Sequence, residues 1–154
     1  HTEDGHITED RTLRRRMVEK RLAKGRALQR EALAPVILGT TPARTTLVCW
    51  GSTFEPLREA WKILKCDGRE GLALVACEQA NPLADTFLDI MHDESRKVFV
   101  EGNATGQFAT LCRATTGVEA HAVILKYNGF PFSADELARK IGEVLDELDT
   151  AENA

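Results

Sequence analysis

Two rhythms of apolar and polar residues run through this chain after Pro35, short unbroken apolar runs and longer stretches at helical spacing, and they alternate. Val36–Leu38 is a short apolar run set off by the turn-forming Gly39-Thr40-Thr41-Pro42, and it reads as an edge strand. Residues 46–50 read as a second strand. Residues 54–65 follow as a helix in which Leu57, Ala60, Trp61 and Leu64 recur at i, i+3, i+4 and i+7, with Pro56 in the first turn, where its missing N–H costs nothing. Cys66-Asp67-Gly68 closes that helix. Leu72–Cys77 is apolar throughout rather than alternating, which predicts a strand buried on both faces.

The same unit then recurs. Asn81-Pro82 opens a helix through Ala84, Phe87, Leu88 and Met91, a charged turn covers 92–96, and 97–100 form the next strand. Residues 105–115 form the helix after it, with Gly117 just beyond, where a left-handed residue ends a helix. A last strand at 121–127 stops at Asn128-Gly129. Ser133 with Glu136 three residues on spells a capping box, and the final helix carries the stripe Leu137, Ile141, Val144, Leu145, Leu148. Strands that alternate with helices over short links predict a parallel sheet with helices on both faces, because each crossover is right-handed. The fold class is α/β.

Residues 1–34 follow another pattern and divide from an α/β domain at 35–154. An acidic linker leads to Thr8 or Asp10 as helix cap, and 11–33 form a strongly basic helix whose narrow apolar stripe is Leu13, Met17, Val18 and Leu22. Arg14, Arg15, Arg16, Lys20, Arg21, Lys24, Arg26 and Arg30 fill the rest. This predicts a helix that docks by its stripe. It has no aromatic residues for stacking bases and too little apolar surface for insertion into lipid, so neither nucleic acid nor a membrane is an expected partner. The chain opens on His1 rather than methionine, which suggests a piece of something longer.

At 154 residues the length suits one domain, and 20 Lys+Arg against 24 Asp+Glu give a net charge of −4, no field to recruit polyanions. No apolar stretch approaches the roughly 20 residues that cross a bilayer, and no signal-peptide core opens the chain, so a cytoplasmic address is expected. The four cysteines, Cys49, Cys66, Cys77 and Cys112, lack the CxxC spacing of zinc or iron–sulfur sites, and no metal site is expected. Cys49, Cys77 and Cys112 lie where free cysteine serves as a small core residue. Dinucleotide, P-loop, zinc-protease and nucleophile-elbow motifs are all missing. Ser52 has no persuasive base in His92 or His121, and no catalytic residue is assigned.

Two strand ends carry the remaining interest, Trp50-Gly51-Ser52-Thr53 and Glu101-Gly102-Asn103-Ala104-Thr105-Gly106-Gln107. In open α/β sheets the carboxyl ends of strands are where ligands and partners are met. The candidate ligand- or interface-facing residues are Gly51, Ser52, Thr53, Glu101, Gly102, Asn103, Thr105, Gly106 and Gln107. The second loop admits two readings: free helix N–H groups that hold a phosphate or carboxylate, or a cap loop satisfied by its own side chains, Asn103 or Thr105.

Those loops, with Asp4-Gly5-His6-Ile7-Thr8-Glu9-Asp10, Arg16-Met17-Val18-Glu19-Lys20-Arg21 and Ile124-Leu125-Lys126-Tyr127-Asn128-Gly129-Phe130-Pro131-Phe132, occur in an order that resembles the C-terminal part of the alpha subunit of 2-oxoacid:ferredoxin oxidoreductases, the 2-oxoglutarate synthase type in particular. The resemblance implies a domain like the C-terminal domain of transketolase, a three-layer sandwich around a mostly parallel five-stranded sheet whose first strand, Val36–Leu38, is antiparallel. It implies a whole enzyme that decarboxylates a 2-oxoacid on thiamine diphosphate and magnesium, passes electrons through iron–sulfur clusters to ferredoxin and makes an acyl-CoA. Those cofactors would lie on other domains or chains. This part would assemble with the beta subunit and the remaining alpha-subunit domains and meet ferredoxin only through other subunits.

The rival reading is a free-standing α/β binding module. A phosphoacceptor domain needs an aspartate at a strand end, whereas these strands end in Trp50-Gly51, Cys77-Glu78, Glu101-Gly102 and Tyr127-Asn128. A hydrolase or transferase would have to act through Ser52 or Cys77.

Overall fold

The structure, a computed structural model, describes residues 1–153. Strands β1 (Val36–Leu38), β2 (Thr45–Trp50), β3 (Leu72–Cys77), β4 (Arg96–Glu101) and β5 (Ala122–Leu125) form one sheet in the order β1-β3-β2-β4-β5. β2 through β5 run parallel. β1 lies at the edge, antiparallel to β3, with Val36 opposite Ala76 and Leu38 opposite Leu74.

Successive side chains of a strand point to opposite faces, so each central strand supplies two cores. On one face Leu47, Cys49, Leu74, Ala76, Val98 and Val100 pack against Leu57, Ala60 and Leu64 of α2 (Phe54–Cys66) and Leu137, Ile141 and Leu145 of α5 (Ala134–Glu152). On the other, Val48, Val75, Cys77 and Phe99 meet Phe87, Ile90 and Met91 of α3 (Asp85–His92) and Phe108 and Cys112 of α4 (Gln107–Thr116). Phe108 centres this second core, its ring 5.9 to 6.2 Å from those of Phe87, Phe99 and Trp50. The three layers, the parallel sheet and the single antiparallel edge strand are those expected.

Several ends differ from the sequence reading. α3 starts at Asp85 rather than at Asn81-Pro82, because Gln79 Nε2 donates to Pro82 O at 2.9 Å and Leu83 turns into the core, making residues 79–84 a compact bend. Gly106 and Gly117, both left-handed, bracket α4, so the helix begins two residues after Thr105. Ser133 Oγ accepts from Glu136 N at 3.2 Å, but the Glu136 carboxylate turns to Lys126 and Lys140, leaving the capping box half made. Asp10, not Thr8, caps α1 (Arg11–Arg30), taking the N–H groups of Thr12 and Leu13. No residue of α1 is buried.

The amino-terminal end of the sheet holds charge that a charged turn at 92–96 did not foretell. Lys97 is buried, and its Nζ donates to Asp93 Oδ1 at 2.6 Å, Ser95 O at 2.6 Å and Ser95 Oγ at 2.7 Å. Arg96 Nη1 donates to Asp149 Oδ1 at 2.7 Å and its Nε to Thr45 Oγ1 at 3.1 Å, tying α5 to the sheet. Burial alone would raise the Asp93 carboxyl, but hydrogen bonds from Lys97 and Ser95 outweigh it and hold the group below the usual carboxylate range.

Candidate functional site

Chain order and strand order disagree at one place. β2 leads through α2 to β3 on one side, while β4 lies on β2's other side and leads through α4 to β5. α2 and α4 therefore leave toward opposite faces, and the carboxyl ends of β2 and β4 part between them. A crevice of about 310 Å³ opens there, lined by Trp50, Gly51, Ser52, Thr53, Gly102, Asn103 and Gln107. Past Ser52, Thr53 and Gly102 it widens into a second space of about 490 Å³, walled by Pro56, Lys126, Tyr127, Phe130 and Phe132. The two glycine loops singled out in the sequence thus face each other across one cleft.

The loops end their helices' entries differently. Gly51 takes a positive φ of 58° and starts a 3-10 turn, Gly51–Thr53, that runs into α2. Neither Trp50 nor Thr53 gives that helix a side-chain cap. The other loop is closed. Glu101, fully buried, accepts from Phe108 N at 2.8 Å and Ala109 N at 2.9 Å, and Asn103 Oδ1 accepts from the N–H groups of Thr105, Gly106 and Gln107. Gly106 turns left-handed between them and packs under Val123. The start of α4 therefore carries its own carboxylate where an external anion would otherwise sit.

Of the candidate residues, Gly51, Ser52, Gly102, Thr105 and Gln107 are exposed, Asn103 is half-buried, and Thr53, Glu101 and Gly106 are buried. Glu101, Thr105 and Gly106 do not line the cleft; Thr105 and Gly106 border a neighbouring hollow with Arg113. Sequence reasoning used the far wall, Lys126, Tyr127, Phe130 and Phe132, for the family resemblance but did not name it as part of a site. Its signal was the aromatic cluster around Asn128-Gly129, a polar turn carrying side chains too apolar for an ordinary loop. Tyr127 and Phe130 are 71% and 76% exposed.

Among the described residues lining the two spaces the single charged side chain is Lys126, already paired with Glu136 and lying over the Phe132 ring at 5.5 Å. No histidine, cysteine or carboxylate joins it there. Ser52 therefore has no histidine or carboxylate base in this lining. Burial pushes the Cys49 and Cys77 thiols up to about 12 and raises Cys112 as well, so none is an activated nucleophile. These inward-facing thiols also do not suit a metal or cluster, and among the described residues no three histidine, cysteine or acidic side chains converge. Among the described residues no helix is long and apolar enough to cross a membrane.

Over 94% of its length the chain is similar to alpha subunits of 2-oxoacid:ferredoxin oxidoreductases. In particular, it is 30% identical over 149 residues to subunit alpha of 2-oxoacid:ferredoxin oxidoreductase 1 of Sulfurisphaera tokodaii, and 32% identical over 151 residues to that of enzyme 2 of Aeropyrum pernix. The chain spans about a quarter, 23%, of the length of these relatives. Among solved structures, 2-oxoglutarate:ferredoxin oxidoreductase from Magnetococcus marinus, with 2-oxoglutarate, coenzyme A and succinyl-CoA bound, shares the fold at a TM-score of 0.81 and 20% identity, covering 94% of this chain and 25% of that one. The alpha chain of a probable 2-oxoacid ferredoxin oxidoreductase from Thermoplasma acidophilum matches at 0.52 and 29% identity, covering 73% of this chain and 97% of that one. No family model matches.

Proposed function

We propose that this chain is the C-terminal, transketolase-like part of the alpha subunit of a cytoplasmic 2-oxoacid:ferredoxin oxidoreductase, and that its work is assembly. The enzyme would decarboxylate a 2-oxoacid oxidatively to its acyl-CoA and reduce ferredoxin. One observation carries this: a similarity of about 30% runs through 94% of the chain. The cleft, which has donors and exposed aromatic side chains but no acid–base pair, supports a contact surface rather than a catalytic centre. Thiamine diphosphate, magnesium, iron–sulfur clusters and coenzyme A belong on other domains or chains in this reading; among the described residues no group of histidine, cysteine or acidic side chains converges to hold a metal or cluster. The cleft, with Gly51, Ser52, Thr53, Gly102, Asn103 and Gln107, would face the beta subunit or the remaining alpha-subunit domains. For the substrate, 2-oxoglutarate is the choice, resting on the wording of residues 4–10.

Gly102 offers the cleanest test. An added Cβ there meets no atom within 4 Å, and its backbone is not left-handed, so Gly102→Trp puts bulk into the cleft from a position that accepts a side chain. In the complete alpha–beta complex this variant should melt like wild type but lose turnover of 2-oxoglutarate with ferredoxin by about tenfold, a change of about 1.4 kcal/mol. Wild-type turnover would remove the cleft from the assembly. No turnover of any 2-oxoacid by the wild-type complex would remove the enzyme reading itself.

A further inference from the structure

α1 is a 20-residue helix with no buried residue. Its ties to the sheet domain run through Gln29 Nε2, which donates to Leu83 O and, at 3.2 Å, to Asp85 Oδ1; at the other end Glu3 pairs with Lys20 at 3.1 Å. A helix of this length holds poorly in water without a packed face. This one also works against itself: Gly25 sits in its interior, and Arg16 with Lys20, Lys20 with Lys24, and Arg26 with Arg30 set like charges four residues apart. Of the chain's 20 basic residues nine lie here, with Glu19 the one acid among them.

Helical spacing arranges that charge around an apolar centre. Val18 and Leu22, 42% and 61% exposed, are neighbours at i, i+4; Arg14, Arg15, Arg21 and Arg26 lie among their i±3 and i±4 neighbours, with Glu19 the one acid there, paired to Arg15 at 2.9 Å. An exposed aliphatic pair ringed by guanidinium groups needs an occupant with an apolar floor and carboxylate walls. Bidentate Arg–carboxylate pairing supplies the walls, and Val18 and Leu22 the floor contact. A phosphate backbone would leave the aliphatic pair uncovered, and a bilayer would find no aromatic anchor on the helix.

We propose that α1 docks in an acidic groove with an apolar floor on a polypeptide outside these residues, with Val18 and Leu22 buried and the four arginines paired along its rims. This rests on the assembly reading above, which supplies the larger complex. The sheet domain then hangs from a charge-matched clamp.

The test is hydrogen exchange of amides 14–24 in the complete alpha–beta complex, for wild type and for the Arg14→Glu, Arg15→Glu, Arg21→Glu, Arg26→Glu variant. Protection of at least tenfold in wild type, lost in the variant and weakened by 1 M sodium chloride, is the expected result. A Val18→Ser, Leu22→Ser variant should lose protection too, with the melting of the sheet domain unchanged. Unprotected amides in wild type overturn the proposal, as does protection that survives charge reversal. Protection that disappears on nuclease or detergent treatment assigns the helix to nucleic acid or lipid and overturns it as well. Failure of the wild-type alpha and beta subunits to assemble sinks the assembly reading instead, and exchange on the alpha subunit alone still decides whether α1 is covered.

Discussion

Asn103 Nδ2 donates to Glu101 Oε2 at 2.7 Å, and between them these two side chains accept the five backbone N–H groups from Thr105 to Ala109. A residue at the end of a strand and one in the loop behind it thus complete the start of α4 before any ligand arrives. Glu101→Ala should therefore act on the fold first. It strands the N–H groups of Phe108 and Ala109 and the Asn103 amide, at about 1–3 kcal/mol for each buried unsatisfied group. A loss of about 2–4 kcal/mol, read as a lower urea midpoint at unchanged slope, is expected; an unmoved midpoint would show that water replaces the carboxylate freely.

Acid should find the amino-terminal end of the sheet. Asp93 is held below its ordinary value in the folded chain, so the stability it contributes is present above the unfolded value of about 3.9 and is lost as pH falls through the lower, folded value. Asp93→Asn should lower stability at pH 7 and flatten its decline below about pH 4. Parallel acid limbs for wild type and variant in denaturant titrations at several pH values would contradict this.

Thiol chemistry should separate one cysteine from three. Cys66 is exposed, while Cys49, Cys77 and Cys112 are buried with raised thiols. A thiol reagent at pH 8 should modify one group promptly in the folded chain and four in urea. Prompt native labelling of Cys77 would reopen the nucleophile reading.

Gly39 should tolerate nothing larger. Its φ is +89°, and an added Cβ would sit 2.8 Å from Leu72 O, the carbonyl that accepts Trp61 Nε1 at 3.1 Å. Gly39→Ala should cost about 1–3 kcal/mol and shift Trp61 emission as that hydrogen bond gives way. Gly68→Ala, also left-handed but in open space, is the control that isolates the backbone share.

The layers of this fold were legible because runs such as Leu72–Cys77 are buried along their whole length, so composition and structure report the same fact. β1 was legible from its turn residues. What escaped were side chains whose partners lie far along the chain or across a bend. Nothing local says that Glu136 prefers Lys126 to its own cap, or that Lys97 turns inward to Asp93 and Ser95. The cleft was half legible: glycine and small hydroxyl residues marked the strand ends, but only the strand order brings β2 beside β4 and the two loops face to face. Glu101 read as a group offered outward, because a strand-ending glutamate looks the same in sequence whether it serves a ligand or a helix seven residues on.

The carboxylate at the end of β4 also couples two elements that usually fray separately. A helix capped from within its own approach can open its first turn while the sheet stays closed. α4 cannot do so without releasing Glu101 from its buried place, and β4 cannot peel at Glu101 without uncapping α4. Strand end, loop and helix start therefore open as one unit, and the floor of the cleft keeps its shape in every state short of losing that whole unit.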